Sequence, residues 1–130
     1  HHMQIDNLHL LSNTSNREKY YCLSKCIGFV FPSNQRSEAF GVSLLEAAAF
    51  GKPMITCEIN TGTSFVNVDQ ITGYIVPPDE PDELASAMRL LVQDRARSDK
   101  MGAAARERFL LHFQMKDIFK MHKKLLECLP

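Results

Sequence analysis

The chain has 130 residues, enough for one small domain with its own core and too few for two ordinary ones. Its 15 basic residues balance its 15 acidic ones, so no net field draws nucleic acid or anionic lipid toward it. No apolar stretch approaches the roughly 20 residues needed to span a bilayer, no secretory leader is visible, and His1-His2-Met3 reads as the remnant of a purification tag.

Residues 5–11 alternate in part between apolar and polar and are expected to form a short strand. Asn13, Thr14, Ser15 and Asn16 then offer several helix caps, and residues 17–25 read as a helix carrying Tyr20, Tyr21 and Leu23. Residues 27–31 form a compact apolar run, as expected of a strand buried on both faces. Residues 33–41 read as loop and 42–50 as helix, whose alanines allow close approach to a sheet. Gly51 and Pro53 stop that helix. Residues 54–57 are the next strand. The polar turn Thr61-Gly62-Thr63-Ser64 opens one turn of helix through Asn67, and Gly73-Tyr74-Ile75-Val76 is a further strand closed by Pro77-Pro78. Pro81-Asp82-Glu83 places a proline and two acids where a helix dipole favours them, and Leu84, Met88, Leu91 and Val92 make one apolar stripe. Residues 97–112 are expected to form a second helix, weakly interrupted at Gly102. Met115, Ile118, Phe119, His122, Leu125, Leu126 and Leu129 repeat at helical spacing along a third.

Strands alternating with helices, followed by helices alone, predict an α/β fold: a partial doubly wound, Rossmann-like parallel sheet with flanking helices and a helical carboxyl-terminal tail. A complete domain of that kind has about six strands, whereas three or four are counted here. The expectation is that residues 4–130 are the second half of such a domain, cut off at its amino end. Missing strands would leave a sheet edge uncovered, so self-association of the truncated chain is expected.

Of the four cysteines, Cys22 and Cys26 stand one helical turn apart, which makes a zinc pair conceivable. No second pair lies nearby at ligand spacing, so Cys22, Cys26, Cys57 and Cys128 are read as unpaired thiols of a reducing compartment.

The chemistry concentrates in Ser37-Glu38-Ala39-Phe40-Gly41-Val42-Ser43-Leu44-Leu45-Glu46-Ala47. A strand, a glycine turn and a helix start are what a diphosphate needs, because the helix's first amides and its dipole meet the negative charge. Gly41 permits a sharp turn and close approach of a ligand to the backbone. A carboxylate accepts through two oxygens and suits a pair of vicinal hydroxyls. Glu46, about one turn into the helix, suits a ribose beside the phosphates, and Glu38 in the preceding loop suits the sugar. The competing reading is structural: Ser43-Leu44-Leu45-Glu46 fits a capping box, and Glu38 fits a solvated loop acid.

Glu38 and Glu46, separated by seven residues, with Gly41 between them and Gly51-Lys52-Pro53 downstream, resemble the signature of retaining glycosyltransferases of the GT-B fold, family four. Thr72-Gly73-Tyr74-Ile75-Val76-Pro77-Pro78, Asp82-Glu83-Leu84-Ala85 and Met101-Gly102-Ala103-Ala104-Ala105-Arg106 are similar to further segments of that family. The Thr61-Gly62-Thr63-Ser64 loop resembles a subgroup engaged in bacterial surface polysaccharide, including lipopolysaccharide, assembly. The resemblance implies that Glu38 sits beside the transferred sugar in a catalytic or sugar-positioning role. It implies that Phe40, Gly41 and Val42 lie against sugar and diphosphate, that Glu46 holds the ribose hydroxyls, and that Gly62 contacts the donor. It further implies a nucleoside-diphosphate sugar as donor, a hexosyl unit transferred with retention, a polysaccharide or glycolipid acceptor bound by an absent amino-terminal domain, and no cofactor or obligatory metal. A cytoplasmic setting, at the inner face of the membrane through the missing parts, goes with that role.

The loop at Gly62 departs from the family pattern of two glycines, a proline and a glutamate: Thr63, Ser64, Phe65, Val66 and Asn67 follow instead. The family's basic pair for the diphosphate lies upstream, so this chain alone is expected to be inactive. Arg36 and Lys52 are read as surface cations, Arg95, Arg97, Arg106 and Arg108 as a solvated face, His122 as a packed histidine, and Tyr20 and Tyr21 as no stacking platform for nucleic acid. Two alternatives stay open: a non-catalytic nucleotide-sugar sensing or docking module, and a GT-B enzyme such as a sugar-nucleotide epimerase.

Overall fold

A computed structural model describes residues 7–34 and 41–114. Within them three parallel strands stand in the order β1 (Phe29–Phe31), β2 (Met54–Cys57), β3 (Gly73–Val76). Phe29 faces Met54 across the first ladder, and Ile55 faces Tyr74 across the second. The five helices are α1 (Asn16–Lys25), α2 (Val42–Ala49), α3 (Thr63–Val66), α4 (Pro81–Gln93) and α5 (Arg95–His112). This is the α/β architecture expected from the alternation of strand and helix signals.

Side chains leave a strand alternately to its two faces, and both faces are covered. Phe29, Phe31 and Met54 pack on one side with Leu23 of α1, Leu44, Ala47 and Ala48 of α2, Val66 of α3 and Ala105 of α5. Val30, Ile55, Cys57, Tyr74 and Val76 pack on the other with Ala87 and Leu91 of α4 and Met101 of α5. A strand covered on both faces has no solvent-facing side, and Met-Ile-Thr-Cys of β2 is buried at every position.

Local chemistry sets the ends of the helices. Ser15 is the cap that α1 uses: its hydroxyl accepts from the Glu18 amide at 3.3 Å, and the Glu18 carboxylate accepts from the Ser15 amide at 2.8 Å. The Ser15 hydroxyl also donates to that carboxylate at 2.7 Å, and this bond, followed by the one from the Ser15 amide, holds the Glu18 carboxyl below its ordinary value. Gly51 ends α2 at φ 65°, a left-handed conformation that costs glycine little.

Four expectations change. Residues 7–11 form no strand; Leu8, Leu10 and Leu11 are exposed, and no strand pairs with them among the described residues, so alternation alone does not suffice. β1 is shorter than residues 27–31 and only half-buried, because among the described residues it pairs on one side alone, along a ladder that begins where the Phe29 amide donates to the Pro53 carbonyl at 2.9 Å. Gly102 does not interrupt α5. Two of the supposedly solvated arginines are engaged: Arg108 donates to the Phe65 carbonyl at 2.6 Å, and Arg97 lies 5.7 Å over the Tyr74 ring. The expected third tail helix, with His122 and Cys128, lies outside the described residues, as does Arg36.

Candidate functional site

Parallel strands point their carboxyl ends to one edge, and in open α/β sheets that edge is where ligands sit. Here it carries three loops: Pro32 onward after β1, residues 58–62 after β2, and Pro77 to Glu80 after β3. The Asn34 carboxamide donates to the Asp79 carboxylate at 2.8 Å, tying the first loop to the third. Between them lies a cleft of about 360 Å³ lined by Pro32, Asn34, Cys57, Pro77, Asp79 and Leu84. Burial, reinforced by the Asp79 charge, pushes the Cys57 thiol up, so it stays protonated at neutral pH and is not a nucleophile.

α2 starts at this edge. Gly41 is its N-cap at φ 68°, buried, with no side-chain cap bond. A Cβ there would stand 2.9 Å from Leu44 Cδ1, so glycine is required both by conformation and by space. The Leu44 amide returns to the Gly41 carbonyl at 2.9 Å, and the amides of Val42 and Ser43 stand ahead of it at the helix start. The Val42 side chain is exposed.

The Ser43–Glu46 capping box does not form. The helix begins at Val42, so Ser43 already lies inside it and is no cap. The Glu46 carboxylate turns instead to α1, where Lys19 Nζ meets its Oε1 at 2.6 Å. That bond holds the Lys19 ammonium above its ordinary value. The partnership escapes a sequence reading because the two residues are 27 apart and on different helices.

Of the residues singled out in the sequence, the structure brings Gly41, Val42 and Glu46 together on one helix start. It sets Gly62 at the head of α3, on the same sheet edge. Glu38 and Phe40 lie outside the described residues. Lys52, read as a surface cation, ties down the end of α1 by donating to the Ser24 and Cys26 carbonyls at 3.1 and 3.0 Å. Among the described residues no group of three or more His, Cys, Asp or Glu could hold a metal ion, and Cys22 and Cys26 are free thiols. Burial pushes the Cys26 thiol up. A larger cavity, about 560 Å³, is lined by Leu10, Leu11, Asn13, Arg17, Glu18 and Tyr21 and contains none of the residues that the sequence assigns to the donor. Among the described residues no helix is long and apolar enough to cross a membrane.

The profile of the Glycosyl transferases group 1 family matches residues 1–108. The chain belongs to that family. As a group 1 glycosyl transferase it is 42% identical over 105 residues to the O-antigen chain mannosyltransferase C of Escherichia coli, covering 81% of this chain and 28% of that enzyme. It is 44% identical over 105 residues to the D-rhamnosyltransferase WbpZ of Pseudomonas aeruginosa, with the same 81% and 28% coverage. The chain thus spans little more than a quarter of these relatives. Its fold is shared with Anabaena HepE, crystallised in complex with UDP, at a TM-score of 0.77 and 21% identity over 82% of this chain and 29% of that one. Membership in the group 1 family agrees with the resemblance drawn from the Glu38-to-Glu46 spacing and the segments downstream.

Proposed function

We propose that this chain is the second half of the donor-binding domain of a larger retaining glycosyltransferase. That enzyme takes a hexosyl unit from a nucleoside-diphosphate sugar and adds it to a polysaccharide or glycolipid. The observation that carries the reading is the start of α2: a buried left-handed Gly41, two amides at a helix terminus, and a carboxylate one turn along, all on the carboxyl edge of a parallel sheet. The chemistry follows from that layout. The diphosphate rests against the Val42 and Ser43 amides, and the partial positive charge of the helix start favours it more as the sugar departs. Glu46 accepts from the ribose hydroxyls, Glu38 faces the transferred sugar, and Gly62 lets the second loop approach the donor.

The leaving diphosphate is met by amides and by cations of the missing half, with no obligatory metal. The acceptor is bound by the other domain of the enzyme. The two relatives named for O-antigen and rhamnosyl transfer support a surface-polysaccharide product. The active site then faces the cytoplasm, where nucleotide sugars are made.

The test uses the full-length enzyme and radiolabelled donor. Glu38→Gln is expected to lower kcat at least about a hundredfold with an unchanged thermal midpoint, the scale of losing one group that acts on the reacting centre. Glu46→Ala is expected to raise KM for the donor about tenfold or more. Full transfer by both variants would assign these carboxylates to structure or docking and overturn the proposal.

A further inference from the structure

We infer that Lys19 is a positioning residue for Glu46, setting the carboxylate that discriminates a ribose from a deoxyribose in the donor. The inference rests on the reading of Glu46 as the ribose-binding group.

Three observations carry it. The first is the placement of α1. Successive residues of α1 and its cap meet, in the same order, Glu46 of α2 and the turn that follows that helix. Lys19 bonds Glu46 at 2.6 Å, Tyr20 stacks on Phe50 at 5.6 Å, and the Ser24 and Cys26 carbonyls take Lys52. Leu23 from the same helix is buried in the core. Lys19 is therefore delivered by a helix anchored at Tyr20, at Leu23 and at its carboxyl end.

The second is the use of one oxygen. Lys19 engages Oε1, while Oε2 of Glu46 accepts no hydrogen bond among the described residues. A glutamate has three side-chain torsions; holding one oxygen removes much of that freedom before a ligand arrives and leaves the other oxygen for hydroxyls. Ligand binding then need not order the side chain.

The third is exposure. The Lys19 and Glu46 side chains retain 37% and 27% of their surface. A pair that open to water contributes little to folding, so stability does not account for its geometry. A site that must admit a polar ligand does.

The test is calorimetric titration of the full-length enzyme with uridine diphosphate and guanosine diphosphate, each against its 2′-deoxy analogue, read as the ratio of the two affinities for the better-bound base. The wild-type enzyme is expected to favour the ribonucleotide about tenfold or more, as for hydrogen bonds to a charged group. Glu46→Gln is expected to remove most of that preference. Lys19→Met is expected to lower the ratio about threefold or more, with the deoxynucleotide affinity within about twofold of wild type and the thermal midpoint unchanged; Lys19→Arg is expected to restore most of it. If Lys19→Met keeps the ratio, or weakens both nucleotides equally, while Glu46→Gln loses it, the positioning role is wrong and the ribose reading stands. If Glu46→Gln keeps the ratio, or the wild-type enzyme shows no preference, the ribose reading falls and the inference with it.

Discussion

Asn67 is wholly buried beside apolar neighbours, and every polar atom of its side chain is used. Its amide group donates to the Thr56 hydroxyl at 3.0 Å and to the Tyr74 carbonyl at 3.0 Å, joining α3 to β2 and β3. Its oxygen accepts from the Thr72 hydroxyl at 2.8 Å, which in turn accepts from the Val68 amide at 2.7 Å. Removing one member of such a network leaves the others buried without partners. Asn67→Ala is expected to cost about 2–4 kcal/mol, read from the denaturant midpoint of the domain. An unchanged midpoint would show that the network contributes nothing. The signal was present in the sequence as one amide within Phe65-Val66-Asn67-Val68, yet two of its partners, Thr56 and Tyr74, lie on separate strands and could not be read. Glu46 failed differently: the Ser43–Glu46 spacing offered a local partner, whereas the actual one comes from another helix. Gly41 was legible because the demand for a positive φ is local.

Helices and strands whose limits are set by local chemistry could be read from the sequence. Met54–Cys57 and Gly73–Val76 are apolar runs bounded by proline and glycine, and α2 ends where Gly51 requires it. Elements that depend on a neighbour could not: among the described residues, 7–11 have no pairing strand and β1 pairs on one side alone. Gly102 shows the same limit within a helix. Intrinsic propensity treats it as a weak point of α5, but a Cβ there would stand 2.1 Å from the Gly51 carbonyl oxygen, so the glycine permits α5 to seat on the turn after α2. Gly102→Ala would gain about 1 kcal/mol at an exposed helical site. Here it is expected to destabilise by about 1–3 kcal/mol, because backbone must move. Thermal unfolding decides by sign: a lowered midpoint supports the close seating, and a raised one contradicts it.

At the scale of the whole molecule, the outer edge of β1 has no pairing strand among the described residues. Ile27, Leu8, Leu10 and Leu11 are exposed, Leu10 by 89%. An open edge flanked by apolar side chains favours pairing with another chain. The isolated 130-residue chain is expected to self-associate with rising concentration, and multi-angle light scattering that finds only monomer up to millimolar concentration would refute this. The same chain is expected to turn over no sugar nucleotide, since it spans 28% of the E. coli mannosyltransferase it resembles.

A crystal structure of the full-length enzyme with uridine or guanosine diphosphate tests directly where the donor's diphosphate rests. The expected result places diphosphate oxygens within hydrogen-bonding distance of the Val42 and Ser43 amides and the ribose hydroxyls on Glu46, with Lys19 still bonded to the other carboxylate oxygen. A diphosphate seated away from the start of α2, with Glu46 touching no part of the nucleotide, would contradict it.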